Sequence, residues 1–182
     1  MDVKSIAVIG GGTMGSGIAL TAATHGFDTT LIDISEEQLQ RASGYHAKQL
    51  ARSVEKGRMS QEDADAATSR LSYATSMTDV SGSDWAVEAV TENPETKKAI
   101  FRDMCGTFGE TVVLATNTSS ISISDLASAV PEAADRVIGM HFFNPVPVMK
   151  LVEVIKGRET SEETTHRTMD LAKAMGKTPV PA

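Results

Sequence analysis

The 182-residue sequence predicts an α/β fold built around a doubly wound, mostly parallel sheet. Short apolar runs typical of buried strands alternate along the chain with longer segments of helical periodicity. This alternation is the pattern of a parallel sheet covered by helices on both faces. In addition, the first apolar run leads directly into a glycine-rich turn and a helical segment, which predicts a strand–turn–helix unit at the start of the sheet.

The predicted strands are short and rich in aliphatic and β-branched residues. They cover residues 5–9, 29–32, 85–90, 112–116, 137–141 and 151–155. The segments between them predict helices at 13–24 and at about 36–56, 61–70, 94–108, 124–130 and 161–176. The helices at about 36–56 and 61–70 are too polar to cover a sheet along their whole length, so we expect a helical hairpin that stands out from the sheet.

Cap residues mark where four of these helices begin. Ser or Thr followed three positions later by an acid or amide is a capping box, and Asn before Pro combines a cap with a first-turn proline. The predicted caps are Ser35, Ser60, Asn93 and Thr160. No repeat or linker interrupts this sequence of elements, so we interpret residues 1–182 as one domain.

Composition and charge are those of a globular protein without a membrane segment. Hydrophobic residues make up 41% of the chain, and no apolar run approaches the ~18 residues of a membrane span. The N-terminus has no basic segment followed by an apolar core, so we expect no signal peptide. The net charge of −7 argues against broad nucleic-acid binding but leaves open a local basic patch for an anionic ligand.

The single cysteine, Cys105, excludes an internal disulfide and fits a reducing cytoplasm, where we expect the protein to be. Cys105 lies in a predicted helix with no histidine near it in sequence, so we interpret it as a packing residue rather than a nucleophile. The sequence shows no cluster of histidines and carboxylates with the spacing of metal ligands, and no metal is predicted.

The stretch 10–15, Gly-Gly-Gly-Thr-Met-Gly, predicts a Rossmann-type dinucleotide site. Gly10 permits the sharp turn, Gly12 lets a pyrophosphate approach the backbone, and Gly15 lets the following helix pack closely on the sheet. The N-terminus of that helix offers N–H groups to the phosphates. Asp33 ends the second strand, where an acid accepts a hydrogen bond from the adenosine ribose. The alternative is that the glycines only make a tight turn between strand and helix, but such a turn would not require this acid.

Asp33 also predicts which dinucleotide is bound. A carboxylate accepts a hydrogen bond from the ribose 2′-hydroxyl of NAD but repels the 2′-phosphate of NADP. The next residues, 34–37, include no arginine that could hold that phosphate. We therefore predict NAD as the cofactor.

Reactive side chains follow several other strands, at the edge where open α/β sheets bind ligands. Residues 117–120, Asn-Thr-Ser-Ser, follow one strand, and His141 ends another. Glu153 lies inside the last apolar strand, so it either faces solvent or is buried with a partner. His141 alone fits a structural histidine as well as a base. Beside a dinucleotide, however, a histidine and an acid on the neighbouring strand suit hydride transfer to or from an alcohol.

Taken together, these motifs resemble those of a known family. The matching segments are 10–15, 87–93, Lys97, 117–120, 139–153 and 176–177. On these residues the chain is similar, from Ser5 to Val180, to the NAD-binding N-terminal domain of the 3-hydroxyacyl-CoA dehydrogenases. It is most similar to the bacterial members that act on 3-hydroxybutyryl-CoA. The segment from His141 to Glu153, combined with the Asn-Thr-Ser-Ser segment, is the most specific part of this resemblance.

The resemblance implies catalytic roles for three residues. His141 would be the general base toward the 3-hydroxyl group, and Glu153 would orient His141 and stabilise its imidazolium. Ser119 would hydrogen-bond the substrate oxygen beside the nicotinamide, and the oxidised product would be a 3-ketoacyl-CoA. The residues expected to contact NAD are Gly10, Gly12, Thr13, Met14, Gly15, Asp33, Glu92, Lys97, Ser119 and Asn144.

A basic pair on the hairpin matches the CoA contacts of the family. Arg52 and Lys56 are four residues apart and share a helix face, where the resemblance implies that they meet the CoA phosphates while Ser119 contacts the acyl end. The alternative is an ordinary charged helix face. Lys97 has a similar alternative, because a lysine on a helix is often simply solvated.

The sequence departs from the family in one respect. It stops at Ala182, where the family continues into a helical C-terminal domain that carries much of the dimer interface and one wall of the acyl site. Full-length family members are expected to be homo-oligomers that act on acyl-CoA. Two other functions stay open: an isolated NAD(H)-binding module with little turnover, and a dehydrogenase of a free hydroxy acid.

Overall fold

The computed structural model describes residues 2–182, which contain an eight-stranded sheet. The strands are β1 Ser5–Ile9, β2 Asp28–Ile32, β3 Leu71–Ala74, β4 Trp85–Glu88, β5 Val113–Thr116, β6 Val137–Phe142, β7 Leu151–Lys156 and β8 Thr178–Pro181. Their order across the sheet is β3-β2-β1-β4-β5-β6-β7-β8. Neighbouring strands are parallel except β6 and β7, which pair antiparallel. The prediction of a doubly wound, mostly parallel sheet is confirmed.

Helices cover both faces of this sheet. They are α1 Thr13–Thr24, α2 Glu36–Glu55, α3 Gln61–Arg70, α4 Pro94–Thr107, α5 Ile123–Ala127 and α6 Glu162–Ala174. Ile18 of α1 and Leu171 of α6 belong to the apolar core on one face, and Phe101 of α4 and Leu126 of α5 belong to the core on the other. Each such side chain is almost fully buried and contributes roughly 1.5–3 kcal/mol relative to an exposed one.

Three of the four predicted helix caps are confirmed. The side chains of Ser35, Ser60 and Asn93 accept hydrogen bonds from the backbone N–H groups three residues later. The prediction that Thr160 caps the last helix is wrong, because Ser161 is the N-cap of α6. The buried Thr160 hydroxyl instead donates a 2.8 Å hydrogen bond to the carbonyl of Val137 in β6, so the more exposed of two adjacent hydroxyl residues is left to cap the helix.

The two edge strands, β3 and β8, were not predicted. β3 is only four residues long and has no strongly apolar face, and β8 contains Pro179 and Pro181. A sheet edge tolerates short, polar or proline-containing strands because its outer backbone groups need no partner strand. Pairing with β2 and β7, rather than local sequence, makes these segments strands.

The two helices of the predicted hairpin are anchored in two places. Leu39 and Ala42, near the start of α2, belong to the main core. Further along, Leu50 of α2 and Ala67 of α3 form a small separate core with Leu20 of α1. The hairpin is therefore attached to α1 as well as to the sheet, and how far its tip stands out remains a prediction.

The direction of winding reverses at β1. The chain passes through α1 to β2 on one side of β1 and later returns to place β4 on the other side. In open α/β sheets such a reversal leaves a crevice at the carboxyl ends of the strands, and ligands bind there. The loops that follow β1 and β4 flank this crevice, so the glycine-rich stretch 10–15 and residues 89–93 face the same place.

Candidate active site

Three glycines of the loop after β1 differ in what a side chain would meet. Gly10 has a φ of +113°, and a Cβ there would lie 2.6 Å from the carbonyl oxygen of Ala89. A Cβ on Gly15 would lie 1.7 Å from the carbonyl oxygen of Gly10, so only glycine lets α1 pack this closely on the strand. A Cβ on Gly12 would have only one such neighbour, Gln38 Nε2 at 4.0 Å, and the space beside it is open. An open backbone cradle of this kind fits a pyrophosphate.

The start of α1 offers backbone donors beside that cradle. Gly12 is the N-cap of α1 and has no side chain with which to cap it. The N–H groups of Met14 and Gly15, to which a capping side chain would bind, therefore have no such acceptor. The positive dipole end of the helix adds to their attraction for an anion.

Asp33 follows β2 with both carboxylate oxygens held by the backbone. Oδ2 accepts a 2.8 Å hydrogen bond from the N–H of Gly11, and Oδ1 accepts a 2.9 Å bond from the N–H of Ser35. The side chain stays partly exposed, and each oxygen has a further lone pair for a ribose hydroxyl. These two bonds orient the carboxylate before any ligand binds.

A cleft of about 730 Å³ opens beside Asp33 between the ends of the first three strands and α4. Its apolar lining consists of Ile9, Ile32, Ile34, Met77, Val90 and Ile100. The Ile34 residue is 93% exposed, although isoleucine is among the residues most often buried. An apolar cleft next to a carboxylate suits the faces of a flat aromatic ring system that is attached to a ribose.

A second cleft, of about 350 Å³, shares Val90 with the first. Besides Met14 of α1, four predicted site residues that are far apart in sequence line it: Glu92, Ser119, His141 and Asn144. They come from the loops after β4 and β5, from β6, and from the turn after β6. The structure therefore brings the predicted catalytic and cofactor residues to one place beside the glycine loop.

His141 is joined to Glu153 across the antiparallel pair of β6 and β7. The two residues are directly opposite in register, and His141 Nδ1 lies 3.0 Å from Glu153 Oε1. Because a carboxylate only accepts, we assign the proton to Nδ1, which leaves the Nε2 lone pair free. The sequence left Glu153 either facing solvent or buried with a partner. In the structure it has a partner, His141, while its side chain is 37% exposed.

Glu92 is held as an anion at the rim of the second cleft. Its Oε2 accepts 2.8 Å hydrogen bonds from the hydroxyls of Thr118 and Ser120. Partial burial by itself raises the pKa of Glu92, but these two hydroxyls and the charge of Lys97 outweigh burial and hold the pKa below its usual value. The side chain is 39% exposed, so this charge faces the cleft.

Lys97 is not a solvated helix residue. Its side chain is fully buried, and its ammonium donates to Glu88 Oε2 at 2.6 Å and to the carbonyl of Val90 at 3.1 Å. Glu92 Oε1 lies 3.6 Å from the same ammonium. In this structure Lys97 therefore reaches the cleft only through Glu92 and the backbone. The sequence pattern did not indicate Glu88 as the partner of Lys97; it showed only an acid near the end of an apolar strand.

Asn117 is a second residue for which the sequence pattern indicated no role. Its Oδ1 accepts a 2.7 Å hydrogen bond from the N–H of Phe142, and its own N–H donates to the carbonyl of Glu88. These bonds tie the end of β5 to β4 and to β6 next to His141. An amide directly after a strand, at the start of the Asn-Thr-Ser-Ser segment, is the signal that pointed to this place.

Lys177 lies behind the turn that carries Asn144. It is buried, and its ammonium donates to the carbonyl oxygens of Val146 and Met149. Burial, and secondarily the charge of Lys150, lowers the pKa of Lys177. The cation thus fastens residues 145–149 next to the cleft.

The predicted CoA-binding pair lies on the hairpin. Arg52 is in the last turn of α2 and Lys56 is its C-cap, and both side chains are exposed. Within residues 2–182 neither has an ion-pair partner within 4.0 Å. The pair is free to meet an anion, although nothing in its geometry sets it apart from an ordinary charged helix end.

The remaining sequence predictions concern Cys105, metals and membranes. Cys105 donates a 3.3 Å hydrogen bond to Glu132, and burial, with Glu132 next in effect, raises the pKa of the thiol. The part of the chain from residue 2 onward holds no group of three or more metal-binding side chains. None of the helices described is long and apolar enough to cross a membrane.

Comparison with known proteins agrees with this geometry. Residues 5–182 match the family model described as 3-hydroxyacyl-CoA dehydrogenase, NAD binding domain. The chain is 44% identical over 180 residues to a probable 3-hydroxybutyryl-CoA dehydrogenase of Bacillus subtilis, covering 99% of this chain and 62% of the relative. It is 42% identical to a 3-hydroxyadipyl-CoA dehydrogenase of Escherichia coli, covering 99% of this chain and 38% of the relative.

Solved structures give the same result. A 3-hydroxybutyryl-CoA dehydrogenase of Escherichia coli superimposes with a TM-score of 0.97 at 41% identity, over 100% of this chain and 38% of that one. An (S)-3-hydroxybutyryl-CoA dehydrogenase of Ralstonia eutropha gives 0.95 at 41% identity, over 99% and 63%. The chain thus spans less than two thirds of the length of these relatives. It belongs to the 3-hydroxyacyl-CoA dehydrogenase family, whose NAD-binding domain it matches.

Proposed function

We propose that this chain supplies the cofactor site and the proton-transfer residues of an NAD-dependent 3-hydroxyacyl-CoA dehydrogenase. The observation that carries the proposal is the 3.0 Å hydrogen bond between Glu153 and His141, the latter of which lines a cleft together with Ser119 and Asn144. This cleft adjoins a glycine loop with the open backbone of a dinucleotide cradle. Together these features combine a hydride-carrier site with a general base.

The residues present fit the cofactor along its length. The cleft beside Asp33 suits the adenosine, the open backbone at Gly12 and the start of α1 suit the pyrophosphate, and the second cleft suits the nicotinamide. When bound there, NAD⁺ supplies the hydride acceptor. Glu92, Asn144 and Ser119 line the part of the site that would hold the ring, with Lys97 acting through Glu92.

The protein's own part in the reaction is proton transfer. His141 Nε2 takes the proton of the substrate 3-hydroxyl group. The hydride leaves the carbon that bears this hydroxyl, and the product is the 3-ketoacyl-CoA. The carboxylate of Glu153 keeps Nε2 pointing away from itself and is adjacent to the positive charge that forms on the ring. The hydroxyl of Ser119 donates to the oxygen whose charge changes during transfer. In the reductive direction His141 returns its proton to that oxygen.

We propose 3-hydroxybutyryl-CoA as the substrate because three of the four relatives reported above are named for it. The exposed pair Arg52 and Lys56 is compatible with a substrate that carries phosphate groups. A dehydrogenase of a free hydroxy acid would not need such a pair. The relatives are longer than this chain, and we propose that a helical domain outside it supplies the second wall of the acyl site and the contacts of a homo-oligomer.

A coupled experiment tests this proposal. NADH binding to the 182-residue chain is measured by calorimetry, and loss of NADH absorbance on addition of acetoacetyl-CoA is measured on the same sample. We expect NADH to bind and turnover to be far below the ~10 s⁻¹ of a typical enzyme, because an open site gives up much of the advantage of orientation and water exclusion.

The His141→Gln variant is the control, since it removes the base but leaves the glycine loop intact. Failure to bind NADH would overturn the proposed cofactor site. Residual turnover that is unchanged in His141→Gln would overturn the proposed base. Turnover near 10 s⁻¹, which is about the median rate of enzymes in general, would contradict the proposed need for a second wall.

A further inference from the structure

Two charged side chains are completely buried directly beneath the second cleft. Glu88, at the end of β4, and Lys97, in the first turns of α4, both have 0% side-chain exposure and lie 2.6 Å apart. Neither touches the open cleft. The direct hydride-transfer chemistry described above uses neither of them.

Three donors hold the carboxylate of Glu88. Besides Lys97, its Oε2 accepts a 2.7 Å hydrogen bond from the N–H of Val90, and its Oε1 accepts a 2.6 Å bond from the hydroxyl of Thr116. Thr116 is its direct register partner on β5. A buried ion pair of this kind is often no more stabilising than a packed apolar pair, so stability alone is a weak reason for its presence.

The Glu88–Lys97 pair acts electrostatically on the cleft through Glu92. Lys97 lies 3.6 Å from the carboxylate of Glu92, which is 39% exposed and lines the cleft. Without Glu88, the ammonium of Lys97 would neutralise Glu92. With Glu88 present, one cation faces two carboxylates, and the three-residue cluster carries one net negative charge. Glu92 is the member of the cluster that faces the cleft.

We propose that Glu88 is a positioning residue that offsets Lys97, so that Glu92 presents a net negative charge to the nicotinamide and the site binds NAD⁺ more tightly, relative to NADH, than it would without Glu88. The proposal rests on the proposed placement of the nicotinamide in this cleft. The nicotinamide ring is cationic in NAD⁺ and neutral in NADH, whereas the rest of the cofactor is the same. A negative charge in the cleft therefore acts on the difference between the two forms.

The experiment measures the dissociation constants of NAD⁺ and NADH by calorimetry, at one ionic strength, for the full chain and its variants. In Glu88→Gln, we expect the ratio of the NADH constant to the NAD⁺ constant to fall about three- to tenfold, as removal of one unit of charge from a partly solvated site predicts. In Glu88→Gln/Lys97→Met the cluster again carries one negative charge, so the ratio is expected to return to within about twofold of the original.

Thr116→Val is the matched control for loosened packing. It removes one hydrogen bond from Glu88 without changing any charge, so it is expected to weaken both forms by the same factor. The proposal is overturned if Glu88→Gln weakens both forms equally, or if Thr116→Val changes the ratio as much as Glu88→Gln does. If the unaltered chain binds neither form, the proposed function fails instead.

A second variant covers the case in which Glu88→Gln does not fold. Glu92 is partly exposed, and Gln keeps an oxygen that accepts from the hydroxyls of Thr118 and Ser120. Glu92→Gln is therefore expected to fold and to lower the ratio by a similar factor. An unchanged ratio in Glu92→Gln overturns the proposal by itself.

Discussion

The Nδ1 atom of His141 lies 3.0 Å from Oε1 of Glu153, directly across the antiparallel pair of β6 and β7. Register partners in a sheet place their side chains on the same face. The contact therefore follows from backbone pairing rather than from a flexible loop. It presents one nitrogen of His141 to the cleft and gives the other to Glu153.

In a complete enzyme that contains this chain, His141→Gln is expected to lower kcat by at least ~100-fold, at the low end of what general acid–base catalysis contributes. Binding of NADH is expected to change little, because the base acts on the substrate. Glu153→Gln is expected to lower kcat as well. Steady-state kinetics of both single variants and the double variant measure the coupling.

Because the two side chains are proposed to act as a unit, the double variant is expected to be little worse than His141→Gln alone. Multiplicative effects of the two substitutions would contradict the pair. Calorimetry with NADH on all three variants serves as the control that the cofactor site is intact.

Gly12→Ala is expected to leave folding intact and to weaken NADH binding at least ~10-fold, which corresponds to about 1.4 kcal/mol. The backbone at Gly12 has a negative φ, and a Cβ there has no protein atom closer than 4.0 Å. The added methyl group would instead occupy the space proposed for the pyrophosphate. Fluorescence titration and a thermal melt of the same sample measure the two effects.

Gly44→Ala is the matched control, since Gly44 lies within α2 and a Cβ there meets nothing within 4 Å. It is expected to raise the free energy of unfolding by roughly 0.5–1 kcal/mol and to leave NADH binding unchanged. Unaltered NADH affinity in Gly12→Ala would show that the cofactor does not cross the loop at this residue.

Asp33 is expected to select NADH over NADPH. Both its oxygens are oriented by backbone N–H groups, and a 2′-phosphate placed there would face a fixed negative charge. Like-charge contacts of this kind cost several kcal/mol. Asp33→Asn removes the charge and is expected to narrow the gap between the two cofactors while weakening NADH. Parallel fluorescence titrations with NADH and NADPH decide the point, and equal affinities in the unaltered chain would place Asp33 away from the ribose.

The buried His46 predicts a fall in stability at mildly acidic pH. Its Nε2 donates to the carbonyl of Ser16 at 2.8 Å, and its Nδ1 accepts from the hydroxyl of Tyr73 at 2.6 Å. Burial lowers the pKa of His46 from 6.5. In the folded state His46 thus binds a proton less readily than in the unfolded state. Its stabilising effect is complete above pH 6.5 and is lost as the pH falls through the lower, folded-state pKa.

The free energy of unfolding, measured in urea between pH 7.5 and pH 5, checks this. In His46→Gln we expect a loss of about 1–2 kcal/mol at neutral pH, because Tyr73 loses its acceptor, and a flatter dependence on pH. Tyr73→Phe is the control, since it removes the same hydrogen bond but keeps the histidine. The dependence of its free energy of unfolding on pH is therefore expected to stay as steep as in the unaltered chain. An equally steep pH dependence in His46→Gln would assign the effect to another group.

Much of this architecture could be predicted from the sequence because its signals are local. The apolar runs, the glycine turn and the caps at Ser35, Ser60 and Asn93 each involve residues a few positions apart. The cap predicted at Thr160 is wrong because that hydroxyl is buried against β6, which leaves the next residue, Ser161, to cap the helix. The edge strands β3 and β8 could not be predicted, because their own residues barely favour a strand and only the neighbouring strand makes them one.

The candidate site shows the same division between features set by local sequence and features set by long-range contacts. The sequence by itself determined the glycine loop, the acid at Asp33 and a histidine at a strand end, since each is defined by its place in one strand–turn unit. The pairing of Glu153 with His141 was implied only by the family resemblance and not by the spacing of the residues, and the tertiary structure decided it, together with the binding of Glu88 to Lys97. The register of β6 on β7 and the packing of α4 against β4 bring these side chains together, and long-range pairing of this kind leaves no mark on the spacing of residues along the chain.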